Sequence, residues 1–267
     1  MKVLMIGAGN MGSTYAEGMS KSSLLGHRKL QIFDKDLDKL KAVEDKGILE
    51  PYSKLEDCLP KAEIVFIAVK PYHFEELYKK MKPLINNGQM FVSLMAGVTL
   101  ENIIEGLGIK KVIRAMPNLP AQIGKGVTAY TASDDVSRLE LIMIRSLLDM
   151  TGNSIHVENE KFIDASTGIS GSGPAYVFYF MQSMLDAAKK MGFSDYDSRV
   201  LVSSTFEGAV QLFNDSNITP QTWMDRVASE GGTTRAALDS MDENHLKELI
   251  EEAAYAAFNR AVELGKS

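Results

Sequence analysis

The sequence predicts a mostly parallel α/β domain over residues 1–160, followed by an all-helical domain over residues 161–267. Three observations carry that expectation. Short apolar runs alternate with segments of helical spacing through the first part. A glycine-rich turn follows the first of those runs. From about Lys161 onward no strand run is convincing, and helical patterns succeed one another. Fully apolar strands separated by helices make a parallel sheet that is covered on both faces.

The apolar runs fall at Val3–Ile6, Leu30–Phe33, Ile64–Val69, Met90–Leu94, Lys111–Ala115, Gly126–Ala132 and Ile155–Val157. Helical spacing between them is clearest at Phe74–Ile85, Leu100–Leu107 and Leu139–Met150. In the second part, Ser172-Gly173-Pro174 opens a long helix, with Pro174 at a first-turn position where the missing N–H costs nothing. Val177, Phe178, Met181, Met184, Leu185, Ala188 and Met191 share one face, Ala175, Tyr179, Phe180 and Ala187 add apolar surface elsewhere, and Gly192 ends it. A helix apolar nearly all round is buried on most sides. The helical part is thin, so a second subunit is expected to cover it. Further helices are expected near Ser198–Phe213, from Thr219-Pro220, and over Glu243–Leu264.

Composition narrows the class. A chain of 267 residues that is 45% hydrophobic has ample material for a core. A net charge of −6, with no basic run, excludes nucleic acid as the expected partner. Cys58 is the only cysteine, which rules out an intramolecular disulfide and a cysteine cluster for metal, and it reads as a small apolar filler. No signal-type segment or membrane-length apolar run is present, so a cytoplasmic protein is expected.

Gly7-Ala8-Gly9-Asn10-Met11-Gly12 fits the G-x-G-x-x-G spacing and lies between an apolar strand and a helical segment. Its glycines permit a tight turn, close approach of backbone to a pyrophosphate, and helix–strand packing, which predicts a Rossmann-type dinucleotide site. Asp34 closes the second strand, where the adenosine ribose lies in such folds. A carboxylate there accepts from both ribose hydroxyls and repels a 2′-phosphate, favouring NADH; Lys35 and Lys39 compensate in part, and Asp34 also reads as a cap for a helix near Asp36. Ligands of open α/β sheets collect beyond the carboxyl ends of the strands. That rule adds Ala68-Val69-Lys70-Pro71, Met95-Ala96-Gly97 and Met116-Pro117-Asn118-Leu119-Pro120 as cofactor loops; Lys70 reads as a phosphate or ribose ligand or as a solvated surface charge, and Asn118 as orienting a carboxamide or as plain turn chemistry between two prolines.

A second constellation is Ser229-Glu230-Gly231-Gly232-Thr233-Thr234-Arg235. The paired glycines admit a ligand close to the backbone, and Thr233 and Thr234 can cap the helix that follows. The first turn of a helix leaves its N–H donors unpaired, so this corner suits a small anion. None of His27, His73, His156 and His245 falls in a motif, and all read as surface or strand-end residues.

These motifs together resemble the pyrroline-5-carboxylate reductase family over essentially the whole chain. The specific parts are Gly7–Gly12, Ala68-Val69-Lys70-Pro71, Ala96-Gly97-Val98-Thr99, Ile113-Arg114-Ala115-Met116-Pro117-Asn118, Gly168-Ile169-Ser170-Gly171-Ser172-Gly173-Pro174-Ala175-Tyr176 and Gly231-Gly232-Thr233-Thr234. The resemblance implies reduction of the C=N bond of 1-pyrroline-5-carboxylate to L-proline by NADPH or NADH, the last step of proline synthesis. It implies a substrate carboxylate on the N–H groups of Gly232 and Thr233, and a catalytic Thr234 near the ring nitrogen. Ser229 and Glu160 match further residues of the substrate region. It also implies a dimer, with a decamer in some relatives. Two positions depart from the family habit: Glu230 stands where proline is usual, and Asp34 where many members carry a neutral residue.

The nearest enzymatic rival is a 3-hydroxyacid-type dehydrogenase. Oxidising a hydroxyl needs a proton acceptor, commonly a lysine early on the first helix after the nucleotide domain, and here that helix has none before Lys189. A non-catalytic NAD(P)-binding regulator is the rival from another class, and it has no use for the Gly-Gly-Thr-Thr hydroxyls.

Overall fold

The computed structural model describes residues 1–265. Its strands are β1 (Val3–Ile6), β2 (Gln31–Phe33), β3 (Glu50–Tyr52), β4 (Ile64–Ile67), β5 (Met90–Ser93), β6 (Val112–Met116), β7 (Gly126–Ala132) and β8 (Gly152–His156). They form one eight-stranded sheet in the order β3-β2-β1-β4-β5-β6-β7-β8. Pairing is parallel throughout except between β6 and β7. The first six strands thus reproduce the 3-2-1-4-5-6 order of a dinucleotide-binding sheet.

The helices between the strands are α1 (Asn10–Met19), α2 (Leu37–Glu44), α3 (Leu55–Cys58), α4 (Phe74–Met81), α5 (Leu100–Leu107) and α6 (Arg138–Leu148). Side chains alternate across the pleat and both faces are covered. Val3 and Met5 of β1, with Phe66 and Val92, face one core that includes Tyr15, Met19, Ile144 and Leu147. Leu4, Ile6, Val65, Ile67 and Phe91 face the other, with Met81, Ile103 and Leu107. Cys58 is fully buried in that second core, as the filler reading expected.

The β3 strand was not expected. Glu50-Pro51-Tyr52 has neither an apolar run nor a full set of N–H donors, and it pairs only with β2 at the sheet edge, where proline is tolerated. The chain divides into two compact units, one comprising Met1–Ser172 together with the chain from Ala256 onward, the other Gly173–Tyr255. The expected boundary at residue 160 therefore lies inside the first unit. The helix α7 (Glu160–Ser166) packs on β6 and β7, and a π-helical turn, Thr167–Gly171, follows it.

The second unit contains α8 (Gly173–Lys190), α9 (Asp195–Asn214), α10 (Pro220–Val227), α11 (Thr233–Glu243) and the start of α12 (Leu246–Leu264). No strand occurs there, as expected. Helix α9 begins earlier than its apolar pattern, because Ser194 caps it by accepting from the Asp197 N–H. The expected helix from Glu243 is interrupted: Asn244 ends α11, and His245 takes a positive φ of 54° before α12 begins. Helix α8 packs on α9 yet has no buried residue in the single chain, and Phe178, Tyr179 and Met191 are exposed. No described helix is long and apolar enough to cross a membrane.

Candidate functional site

A crevice of about 750 Å³ opens at the carboxyl ends of the strands in the first unit. Its walls run from Phe33 and Asp34 at the end of β2, past Gly7 and Gly9 after β1, to Ala68-Val69-Lys70-Pro71 after β4, Met95-Ala96 after β5 and Met116-Pro117 at the end of β6. The strand order reverses between β1 and β4, which is where such sheets take dinucleotides.

The glycine turn has the local geometry that the motif requires. Gly7 adopts φ +106°, and a Cβ there would lie 2.7 Å from the Ala68 carbonyl oxygen. A Cβ on Gly12 would sit 1.9 Å from the Gly7 carbonyl oxygen, so only glycine lets α1 start this close to β1. Gly9 caps α1 without a side-chain hydrogen bond, and no atom of the described residues outside its own neighbours lies within 4 Å of a Cβ built on it. The first-turn N–H groups of α1 have no intrahelical acceptor, and with room left at Gly9 the residues present fit a pyrophosphate.

Asp34 also has a defined environment. Ala8 N donates to its Oδ2 at 2.7 Å and Asp36 N donates to its Oδ1 at 3.0 Å. Lys39 Nζ stands 4.0 Å from Oδ2 and 3.3 Å from Asp36. The cap of α2 is Asp36, not Asp34, with Asp36 Oδ1 accepting from Asp38 N and Lys39 N. Across the mouth, the bond from Lys80, with the further charges of Lys80 and Lys35, holds the Glu76 carboxyl below its usual range. Lys35, Lys39, Lys70 and Lys80 all reach the crevice wall, giving its rim a cationic excess over Asp34 and Glu76.

Of the residues expected to hold the cofactor, Gly7, Gly9, Asn10, Met11, Asp34, Ala68, Val69, Lys70, Pro71 and Ala96 meet at this crevice. Four stand outside its wall. Ala8 contributes its N–H to Asp34, and Gly12 is buried beneath Gly7. Gly97 is buried with φ +76°, and a Cβ there would lie 2.8 Å from Cβ of Leu264, so the close approach that it serves is to α12. Asn118 is 7% exposed and both ends of its amide bond backbone groups. Val127 N donates to its Oδ1 at 2.9 Å, and its Nδ2 donates to the Ser170 carbonyl at 3.1 Å. These bonds fix its side chain between the loop after β6 and the start of β7.

Glu160, expected in the substrate region, bonds a buried cation and a backbone amide. Its Oε1 accepts from Arg114 Nη1 at 2.9 Å and from Leu100 N at 2.8 Å, so it joins α7 to β6 and α5. Arg114, which sequence reasoning quoted in a motif but gave no task, is 1% exposed and also bonds Asp164 at 2.5 Å. A charged residue inside an otherwise apolar strand, Val112-Ile113-Arg114-Ala115, was the signal that a carboxylate partner had to exist.

The Gly-Gly-Thr-Thr corner lies in the second unit. Gly231 has φ +67°, Gly232 is the N-cap of α11 and makes no side-chain cap bond, and Thr233 and Thr234 are its first two residues. Gly232 N donates to the Ser229 carbonyl at 3.0 Å, which leaves the Thr233 and Thr234 amides as the first without an intrahelical acceptor. The expected threonine cap is thus a glycine cap, while the open first turn is as expected. Ser229 Oγ would lie 2.7 Å from a Cβ on Gly232, so Gly232 makes room for the Ser229 hydroxyl.

A parallel sheet with this strand order, glycine turn and crevice defines a dinucleotide-dependent oxidoreductase fold. Residues 2–97 match the family described as NADP oxidoreductase, coenzyme F420-dependent, and residues 160–264 match that described as pyrroline-5-carboxylate reductase dimerisation. A pyrroline-5-carboxylate reductase of Pseudomonas aeruginosa is 30% identical, over 99% of this chain and 97% of that one. A structure of the enzyme from Coxiella burnetii is 29% identical with a TM-score of 0.89, covering 100% of this chain and 99% of its own. The crystal structure of the Plasmodium falciparum enzyme with NADP bound is 27% identical with a TM-score of 0.87, covering 99% and 98%. The chain belongs to the pyrroline-5-carboxylate reductase family. It is an NAD(P)-dependent oxidoreductase that forms L-proline in the last step of proline biosynthesis, and it carries a dimerisation domain through which it self-associates.

Proposed function

We propose that the chain reduces 1-pyrroline-5-carboxylate with a preference for NADH, and that Thr234 is its catalytic hydroxyl. The nicotinamide cofactor supplies the hydride. Gly7, Gly9 and the first turn of α1 hold its pyrophosphate, and Asp34 takes the adenosine ribose. The observation that carries the preference is the Asp34 carboxylate, fixed in the crevice wall by Ala8 N and Asp36 N.

The residues of the helical unit have modest demands to meet. A protonated cyclic imine is already electrophilic, so no strong acid is required, and holding the ring in place does most of the work. The N–H groups of Thr233 and Thr234, at the positive end of α11, bind the substrate carboxylate. The Thr234 hydroxyl holds the proton of the ring nitrogen, and Ser229 lends a second hydroxyl to the same corner.

The test is Asp34→Ser, with specificity constants measured for NADH and NADPH against the imine. Two like charges about 4 Å apart at an effective dielectric near 20 repel by about 4 kcal/mol, and Lys35 and Lys39 offset most of it, so a shift of roughly tenfold toward NADPH is expected. An unchanged ratio removes Asp34 from cofactor selection.

A further inference from the structure

The far wall of the crevice, Met116-Pro117, is backed by a structure that the reaction scheme does not use. The backbone after α7 opens into the π-helical turn Thr167–Gly171, in which Ser172 N donates to the Thr167 carbonyl at 2.8 Å. Single π turns are rare and occur mostly at functional sites. Two contacts dock this one onto the loop after β6. Asn118 Nδ2 donates to the Ser170 carbonyl, while Val127 N donates to Asn118 Oδ1, so one buried amide ties the turn, the loop and the start of β7 together. Gly171 faces Met116: a Cβ there would come within 2.7 Å of the Met116 methyl. Met116 itself lines the crevice.

We infer that Asn118 and Gly171 are positioning residues that fix the Met116-Pro117 wall, and so set how the nicotinamide half of the cofactor, rather than its adenosine half, is held. The division follows from topology. The two halves of such a sheet each take one nucleotide, adenosine on the β2 side and nicotinamide on the side of β4 to β6. The Asn118 clamp lies only on the second. Removing its donor orphans the Ser170 carbonyl and leaves the loop free to shift, while the Asp34 and Gly9 end of the crevice is untouched. This inference rests on the proposed placement of the cofactor across the strand ends.

The experiment uses the full-length, self-associated protein and two probes, NADH and ADP-ribose, the second lacking the nicotinamide ring. Asn118→Asp keeps the acceptor for Val127 N but sets a carboxylate against the Ser170 carbonyl. Its affinity for NADH should fall about tenfold, with kcat falling further, while ADP-ribose binds within about twofold of wild type. Gly171→Ala, which need displace only the flexible end of Met116, should show the same pattern at about two- to threefold, and Gly171→Ala with Met116→Ala should regain at least half of the lost kcat relative to Met116→Ala alone. Equal weakening of both probes, or a double variant no better than Gly171→Ala, overturns the positioning role. Failure of the wild-type protein to bind either probe overturns the placement of the cofactor, and the inference with it.

Discussion

Arg114→Met is the most informative single substitution in the first unit. The guanidinium is 1% exposed and reaches two carboxylates one turn apart on α7, Glu160 at 2.9 Å and Asp164 at 2.5 Å, whose side chains are 29% and 17% exposed. Methionine preserves much of the apolar stem but removes both charge-assisted bonds, and it leaves two carboxylates at i and i+4 facing each other. Breaking a buried ion pair from one side costs about 3–5 kcal/mol. Two features lower that figure here: the carboxylates keep some water, and Arg114 Nε, which has no partner among the described residues, ceases to be a buried orphan. The expected loss is about 2–3 kcal/mol, or a fall of roughly 5–10 °C in Tm. Urea unfolding followed by circular dichroism at fixed protein concentration reads it. The variant that also carries Glu160→Gln and Asp164→Asn should recover more than half of the loss. A stability within about 0.5 kcal/mol of wild type, or a triple variant weaker than Arg114→Met, refutes the account.

Three other outcomes are expected. Thr234→Ala should lower kcat about ten- to a hundredfold with NADH affinity unchanged, and full turnover in steady-state assays would take Thr234 out of the mechanism. Burial opposes ionisation of Glu140, but the bonds from Lys111 and Ser137 outweigh it and hold the carboxyl below its usual range. A group depressed on folding stabilises above its unfolded pKa, near 4.3, and that contribution is lost as pH falls through the folded value. Glu140→Gln should therefore be less stable than wild type at about pH 7 and nearly equal to it at about pH 3, by urea titration; a gap that persists in acid contradicts this. Burial pushes the Cys58 thiol up to about 11, so at about pH 8 only roughly one in a thousand is thiolate. Iodoacetamide should label it in urea and not in the native protein, and rapid native labelling would place Cys58 elsewhere than the core.

Local signals were read well and long-range ones were not. The strands that form the crevice are uninterrupted apolar runs, and the glycine turn needs only neighbours in sequence, so both were legible. The edge strand Glu50–Tyr52 was not, because its apolar content is too low and proline removes a donor. Asn118 is placed at the cofactor by the strand-end rule, and Glu160 at the substrate by the family resemblance. Their partners, Ser170 and Arg114, are distant along the chain, and only folding shows the groups to be occupied. At Gly97 a glycine suggests shaped backbone, but the sequence does not say what packs against it, and the end of α12 does so. Asp34 shows the converse. Its position was correctly placed in the crevice, while its bond to Ala8 N, which ties it to the glycine turn, had no sequence signature.

The bare outer faces of α8 have a consequence for handling the protein. Aromatic side chains such as Phe178 and Tyr179 meet water in an isolated chain, and apolar surface of that kind favours association. Mass action then links the melting point to how much protein is in the tube, and dilution to assay levels works against the helical unit that carries the Thr234 corner. Specific activity should thus be compared only between samples of matched concentration.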